Sequence, residues 1–284
     1  MTAKDRPRPD AAAAPKARFP ALLDRPAQGA SRPAPAPALA RPQRPLHEAA
    51  RDAARRTPPA GLGLDSEAVR WRMVARLRAE GIGCEPVLQA MAAVPRHRFV
   101  DPALANQAYE DTSLPIGQGQ TISKPSVVAR MLALLFDGEQ ARRSGSLGRV
   151  LEIGTGCGYQ TALLLRLASQ VVSIERVQAL HERARTRLAA PEFAAGAGSP
   201  RLLWRDGRDG HAPLGPYDTI VAAAGGDALP PAWIDQLAVG GRLVAPAVDA
   251  AGGQCLMVVD RGPAGLSWQR HEAVRFVPLK SGTE

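Results

Sequence analysis

The sequence has 284 residues, 45% of them hydrophobic, which is enough to bury a sizeable core in one large or two small domains. The formal net charge is +9, but residues 1–60 contain 12 Lys and Arg against 5 Asp and Glu, whereas the other 224 residues contain 24 against 22. The nearly neutral remainder argues against nucleic acid as a partner of the folded part. Apolar runs stay below the ~18 residues of a membrane span, which argues against a membrane protein.

Residues 1–62 are predicted to be a disordered tail rich in Pro, Ala and Arg. Residues 1–60 hold 12 of the 26 prolines and few large apolar side chains, so they bury too little surface to offset the entropy lost on ordering. A solvated tail or an upstream start codon is the simplest interpretation. A basic arm that touches RNA, a membrane or a partner is an alternative, as is a transit peptide. The folded domain is expected over residues 63–284.

The three cysteines, Cys84, Cys157 and Cys255, are far apart and form no CxxC or CxxH spacing. The five histidines likewise include no pair at metal-ligand spacing, so we expect no metal. An odd and sparse set of cysteines fits a reducing compartment, which favours the cytoplasm.

The elements up to residue 136 are predicted to be mainly helical. "DSEAVRWRMVARLRAEG" (65–81) opens with a capping Asp or Ser, repeats apolar residues every four positions and ends at glycine. "EPVLQAMAAVP" (85–95) is a second short helix, with proline in its first turn and at its end. "LPIGQGQTISKP" (114–125) is a polar loop between two prolines, unsuited to helix or strand. "KPSVVARMLALLF" (124–136) is a third helix.

Strands and helices alternate from Arg149 onward. The predicted strands are "RVLEIG", "VVSIE", "RLLWRDG" and "YDTIVAAAG", and the helices are "YQTALLLRLAS", "RVQALHERARTRLAA" and "PPAWIDQLAVGG". "RLVAPAV", "QCLMVVDR" and "LSWQRHEAVRFVPL" follow as three strands without intervening helices. The pattern predicts an α/β fold with a doubly wound, mostly parallel Rossmann-like sheet, helices on both faces and antiparallel strands at the C-terminal end.

The segment "VLEIGTGCGYQTA" is the main candidate for a ligand site. Gly154, Gly156 and Gly158 follow a predicted strand and precede a helix, where glycine lets the backbone turn sharply and approach a ligand. The G-x-G-x-G spacing departs from the dinucleotide fingerprint, because Tyr159 stands where a third spaced glycine would be. The loop therefore favours a nucleoside ligand without a pyrophosphate.

Two acidic residues follow the next predicted strands. Glu175 ends the second strand and could accept hydrogen bonds from ribose hydroxyls, and Asp206 follows the third strand and could accept from an adenine amine. Either alone is more often a turn or cap residue. Together with the glycine loop, they indicate an S-adenosylmethionine site.

Residues 66–280 resemble protein-L-isoaspartate O-methyltransferases. The resemblance rests on "LPIGQGQTISKP", "VLEIGTGCGYQTA", "VVSIER", "DGRDG", residues 229–248 and "AVRFVPL", which occur in the family's order. It implies methyl transfer from S-adenosyl-L-methionine to the free carboxylate of L-isoaspartyl residues in damaged proteins and peptides. We also expect a monomer that needs no metal. The cofactor-binding residues that it implies are Thr121, Ile122, Ser123, Gly154, Thr155, Gly156, Gly158, Glu175, Arg176, Asp206 and Gly207.

The resemblance also assigns a role to the polar loop. A carboxylate is ionised near pH 7, so the reaction needs positioning and removal of water more than a strong base. Ser123 is then the catalytic residue, with its hydroxyl orienting the carboxylate, and Thr121 and Ile122 contribute backbone between substrate and cofactor. Without the resemblance, an ordinary cap of the helix that starts at Pro125 is the simpler interpretation of Ser123, and the two roles are compatible.

Two further features are expected near the site. "RFVPL" is expected to form an edge strand whose backbone pairs with the substrate peptide, although a plain structural strand is the alternative. Gly225 and Gly226 replace a stiffer turn of the family beside the cofactor and could loosen it.

Two other functions remain open from the residues alone. The same fold could serve a methyltransferase of a small molecule or RNA. A nucleic-acid-binding protein with an inactive methyltransferase domain would instead rely on the basic tail. The TISKP loop and RFVPL argue against the first, and the even charge of residues 61–284 argues against the second.

Overall fold

A computed structural model describes residues 67–193, 198–249 and 252–284. The predicted tail, residues 1–62, lies outside the described residues. The helices are α1 (Glu67–Ala79), α2 (Glu85–Ala93), α3 (Pro125–Phe136), α4 (Glu139–Ser144), α5 (Tyr159–Leu167), α6 (Gln178–Leu188) and α7 (Pro231–Asp235). The strands are β1 (Leu114–Gly117), β2 (Gln120–Ile122), β3 (Arg149–Ile153), β4 (Gln170–Glu175), β5 (Arg201–Trp204), β6 (Tyr217–Ala222), β7 (Leu237–Val248), β8 (Gln254–Gly262) and β9 (Gly265–Ala273).

The main sheet has seven strands in the order β5-β4-β3-β6-β7-β8-β9. The pairs from β5 to β7 are parallel, and β8 and β9 extend the sheet as antiparallel strands. The predicted fold class is confirmed for the described residues. The order reverses at β3 and β6, and in open parallel sheets ligands bind outside the carboxyl ends of the strands at such a point.

The two faces of the sheet contribute to separate apolar cores. Val150 of β3 packs in the cluster that contains α1–α6, whereas its neighbour Leu151 packs with Trp233 of α7. Successive side chains of a strand point to opposite faces, so both faces of β3 are covered by helices. This explains why the central strands read as continuous apolar runs.

The segment 114–125 contains more regular structure than its composition indicates. β1 and β2 form an antiparallel hairpin in which Leu114 pairs with Ile122. The turn between them has φ +55° at Gln118, flanked by glycines that also have positive φ. The glycines therefore make a tight hairpin turn possible, and the expectation of an irregular loop is wrong here.

The chain after β9 does not continue as a strand. β9 ends at Ala273, and the backbone N–H of Phe276 donates to the side-chain Oε1 of Gln254 at 2.5 Å instead of to a strand. Pro278 has a single bridge to Gly225, and proline has no N–H to donate to a ladder. The predicted RFVPL edge strand is therefore wrong.

Candidate active site

A cleft lies at the carboxyl ends of β3, β4 and β5. Its walls come from the β1–β2 hairpin, the turn after β3, the end of β4 and residues 277–280. We call it the central cleft. The sequence-predicted residues that line it are Thr121, Ile122, Ser123, Gly154, Thr155, Gly156, Glu175, Arg176 and Gly207.

The glycine loop, residues 154–158, uses its three glycines for two different purposes. Gly154 and Gly156 line the cleft with φ of +92° and +56°, conformations that residues with a side chain rarely adopt. Gly158 starts α5 with φ +92°, and a Cβ there would lie 3.2 Å from Cδ1 of Leu188. Gly158 thus allows α5 and α6 to pack closely, and its predicted cofactor contact stays a prediction.

Glu175 fastens the glycine loop to the end of β4. Its Oε2 accepts from the N–H of Gly156 at 2.8 Å and its Oε1 accepts from the N–H of Val177 at 2.9 Å. The side chain is buried, yet it lines the cleft. Each carboxylate oxygen has capacity for a further hydrogen bond, so ribose hydroxyls can bind without displacing these contacts.

Asp206 makes contacts that its predicted role did not include. Its Oδ1 accepts from the N–H of Arg208 at 2.9 Å, and its Oδ2 accepts from the N–H of Gly282 at 2.5 Å. The neighbouring Gly207 lines the cleft, and a Cβ on it would lie 2.6 Å from Cγ2 of Ile153. Asp206 therefore anchors a distant part of the chain, and its contact with adenine stays a prediction.

The C-terminal segment, residues 277–284, crosses the ends of three strands. At β6, Gly225 donates to the carbonyl of Val277 at 3.0 Å and accepts from the N–H of Leu279 at 2.7 Å. After β4, the Arg176 guanidinium donates to the carbonyl of Gly282 at 2.9 Å and pairs with Glu284 at 2.8 Å. The sequence signalled this segment only through RFVPL, and not as a wall of the central cleft.

Gly225 packs closely against the side chain of Gln254. A Cβ on it would lie 2.2 Å from Nε2 of Gln254. The side chain of Gln254 accepts a hydrogen bond from the N–H of Phe276. The small size of Gly225 therefore leaves room for the side chain that fixes the chain just before the C-terminal segment.

The helix that follows Ser123 is capped by other residues. Lys124 is the N-cap of α3 and makes no side-chain capping bond. Asp111 supplies the acceptors instead: its Oδ1 accepts from the N–H of Ser126 and its Oδ2 from the Ser126 hydroxyl, both at 2.8 Å. The Ser123 hydroxyl has no hydrogen-bond partner among the described residues, and Ser123 lines the cleft. The capping interpretation of Ser123 is therefore wrong.

A buried polar network lies directly behind the glycine loop. The carboxylate of Glu152 accepts from Gln160 at 3.1 Å, from Thr161 at 2.5 Å and from Ser173 at 2.6 Å, and Ser173 also contacts Thr155 at 2.5 Å. Burial raises the pKa of Glu152 to about 7, although the three donors oppose this shift. The network joins β3, β4 and the first turn of α5. An acidic residue inside an apolar strand was its only sequence signal.

The described ranges contain neither a metal-binding cluster nor a membrane-spanning helix. No group of three or more His, Cys, Asp or Glu residues there has the arrangement of a metal site. Within those same ranges, no helix has the length and apolar character needed to cross a membrane.

The fold and the cleft together define the class. A parallel sheet, a glycine turn after β3 and a buried acid closing β4 are the features of a class I S-adenosylmethionine-dependent methyltransferase. The family model described as Protein-L-isoaspartate(D-aspartate) O-methyltransferase (PCMT) matches residues 69–284. The chain belongs to this family, and the resemblance inferred from the sequence is confirmed.

Relatives and solved structures agree with this assignment. A protein-L-isoaspartate O-methyltransferase from Methylibium petroleiphilum is 59% identical over 100% of both chains. One from Leptothrix cholodnii is 62% identical over 87% of this chain and 86% of the relative. A structure from Plasmodium falciparum, described as a putative member in complex with S-adenosyl-L-homocysteine, shares the fold with a TM-score of 0.64 and 24% identity, covering 74% of this chain and 98% of that one. Another structure named protein-L-isoaspartate O-methyltransferase gives a TM-score of 0.62 and 26% identity, covering 74% and 65%.

Proposed function

We propose that the central cleft holds an L-isoaspartyl carboxylate against the methyl group of S-adenosyl-L-methionine. The chain is thereby a protein repair methyltransferase: it esterifies the free carboxylate of L-isoaspartyl residues in damaged proteins and peptides and so initiates their conversion to normal aspartyl. S-adenosyl-L-methionine supplies an electrophilic methyl group when bound. The residues of this chain then have to bind the nucleoside, orient the carboxylate and exclude water.

The cofactor side of the cleft fits a nucleoside with a charged tail. Gly154 and Gly156 bring backbone close to the ligand, and Glu175 offers spare acceptor capacity for ribose hydroxyls. The start of α5 adds the positive end of a helix dipole beside the loop. Thr155, Arg176 and Gly207 complete this wall.

Ser123 is the residue that orients the substrate carboxylate. The observation that carries this role is the capping of α3 by Asp111, because it leaves the Ser123 hydroxyl at the cleft without a partner among the described residues. A hydroxyl donates one hydrogen bond to an ionised carboxylate without neutralising it as a nucleophile. Thr121 and Ile122 lie beside it as backbone between the two ligands.

A paired-peptide assay tests the function. Two peptides of the same sequence, one with L-isoaspartyl and one with normal aspartyl, are incubated with the protein and labelled S-adenosyl-L-methionine. Labelled ester on the isoaspartyl peptide alone is the expected result. Equal labelling of both peptides, or of neither, contradicts the substrate assignment.

The remaining features of the proposal concern the state of the protein. We expect a monomer in the cytoplasm that requires neither a metal nor nucleic acid, with residues 1–62 as a dispensable tail. The unpaired thiols of Cys84, Cys157 and Cys255 are compatible with a reducing compartment. Sedimentation of the full chain, and the paired-peptide assay on a chain lacking residues 1–62, test the monomer and the tail.

A further inference from the structure

Arg96 is a charged residue with no exposed surface. It begins the 3-10 turn Arg96–Phe99 after α2 and is 0% exposed, which places it among the largest fully buried side chains. Burying an ion costs several kcal/mol unless its environment compensates. An apolar residue of similar volume would fill the same space without that cost, so the charge calls for a role.

The guanidinium is compensated by carbonyls and an aromatic ring. Nε donates to the carbonyl of Ala108 at 2.8 Å and Nη2 donates to the carbonyl of Ser123 at 2.6 Å. The guanidinium carbon lies 4.8 Å from the ring centroid of Tyr159, a cation–π distance. Nη1 has no hydrogen-bond partner in the described part of the chain. No carboxylate of the described residues lies within ion-pair distance of Arg96, although the negative charge of Asp111 acts on it from farther away.

Two of the residues that Arg96 contacts, Ser123 and Tyr159, line the central cleft. Burial lowers the pKa of Arg96 from its ordinary value, but a guanidinium remains charged in proteins. A positive charge in a poorly screened environment acts over several ångströms.

We propose that Arg96 is a positioning residue for methyl transfer: it fixes the backbone of Ser123 and supplies the positive potential that attracts the substrate carboxylate. The inference rests on the proposed role of the cleft. It explains how the neutral groups that line the cleft can bind a carboxylate: the positive charge of Arg96 lies directly behind Ser123 and Tyr159. The carboxylate keeps its charge as a nucleophile, since the cation acts through Ser123 and Tyr159.

The test compares Arg96→Gln and Arg96→Lys with the unmodified protein. We expect Arg96→Gln to lower kcat/KM for the isoaspartyl peptide about 10- to 100-fold, mainly through KM, because a hydrogen bond from a charged donor and a nearby charge are lost. Arg96→Lys keeps the charge and should recover at least about fivefold of that loss. The Kd of S-adenosyl-L-homocysteine, measured by calorimetry, should stay within about twofold, and this binding also reports that each variant is folded.

Arg242→Gln is the matched control. Arg242 is also an arginine that donates to a backbone carbonyl, that of Leu134 at 2.8 Å, but it pairs with Asp260 on the antiparallel strands. Its loss should lower stability and leave peptide KM unchanged.

Three outcomes overturn the proposal. Peptide kcat/KM within twofold of the unmodified value in Arg96→Gln would do so, as would a parallel loss of S-adenosyl-L-homocysteine affinity, which indicates a structural role. If the peptide kcat/KM of Arg96→Lys does not exceed that of Arg96→Gln, the positive charge has no role in substrate binding. If Arg96→Gln does not fold, Arg96→Met, a neutral residue of similar volume, takes its place, and peptide kcat/KM within twofold of the unmodified value in that variant overturns the inference. Throughout, the unmodified protein must discriminate the two peptides; its failure to do so would refute the function and not the role of Arg96.

Discussion

Asp111 and Ser126 form a two-point hydrogen bond that caps α3 from 15 residues upstream. One carboxylate oxygen of Asp111 accepts from the N–H of Ser126 and the other accepts from its hydroxyl, both at 2.8 Å. The first turn of a helix has N–H groups that need acceptors. Because Asp111 accepts from one of these N–H groups, Ser123 is not needed as a cap, and its hydroxyl is available to a ligand in the cleft.

Replacing Asp111 should affect both stability and catalysis. Asp111→Ala removes the cap and is expected to lower the free energy of unfolding by about 1–2 kcal/mol and to reduce kcat, because the segment that carries Ser123 loses its attachment. Asp101→Ala is the matched control, since Asp101 caps a surface turn by accepting from the N–H of Ala103 at 2.9 Å. Thermal melts and steady-state kinetics of both variants are compared. If Asp111→Ala has the same kcat as the control, the cap does not affect the position of Ser123.

Ser123→Ala should reduce turnover more than cofactor affinity. The hydroxyl lines the cleft and has no partner among the described residues, so its loss should cost the enzyme a hydrogen bond to the carboxylate, about 10- to 100-fold in kcat. Calorimetry with S-adenosyl-L-homocysteine should give a Kd within about threefold of the unmodified value. Ser144→Ala, which removes an exposed hydroxyl that bonds to Ser146, is the control. Native turnover in Ser123→Ala would leave only a structural role for the residue.

Glu175→Ala should weaken cofactor binding. The substitution removes the acceptor of Gly156 and Val177 and any acceptor of the ribose, for an expected loss of about 10- to 100-fold in affinity. The comparison variant is Glu182→Gln on the exposed side of α6, where Glu182 accepts from Gln178. Titration calorimetry with S-adenosyl-L-homocysteine measures both. Native affinity in Glu175→Ala would reject Glu175 as a cofactor residue.

Glu152 should make stability depend on pH. Its pKa is raised to about 7 in the folded protein from an ordinary 4.5, so between these values the folded state binds more protons at this group than the unfolded chain does. Stability from this group is therefore full below about pH 4.5 and is lost as the pH rises through 7, by on the order of 3 kcal/mol at most.

Glu152→Gln isolates this contribution, because glutamine does not titrate. Unfolding free energies are measured with urea at pH 5, 6 and 7.5. As the pH rises, the unmodified protein should lose stability relative to Glu152→Gln. Glu192→Gln, at an exposed ion pair with Arg98, should show no such trend. A pH-independent difference for Glu152→Gln would mean that the carboxyl keeps an ordinary pKa.

Local pattern was sufficient to predict the strand–turn–helix around the glycine loop. In "VLEIGTGCGYQTA" the apolar run, the glycines and the helix-forming residues that follow agree with one another, and β3, the loop and α5 occur in that order. The same agreement identified α1, α2 and α3. It failed at "PPAWIDQLAVGG", which reads as one helix: α7 ends at Asp235, and β7 already starts at Leu237 because Leu237 pairs with Tyr217. Tertiary pairing overrode the local preference.

The candidate site was predictable to the extent that its residues belong to recognisable motifs. Ser123, Glu175 and the glycines were identified in this way, and all but Gly158 and Asp206 of the predicted set line the cleft. Arg96 was not identified, because its contact with Ser123 spans 27 residues and an arginine in "VPRHRF" carries no local sign of burial. The anchoring of Gly282 on Asp206 is likewise a product of the folded backbone.

The C-terminal segment closes one side of the central cleft from the far end of the described residues. Its wall at residues 277–280 is attached to Gly225, and the following residues are attached to Arg176 and Asp206, all encoded well upstream. A nascent chain can therefore assemble the parallel strands while the cleft is still open on one side. Only after residues 277–284 have left the ribosome can this side of the cleft close around a methyl donor.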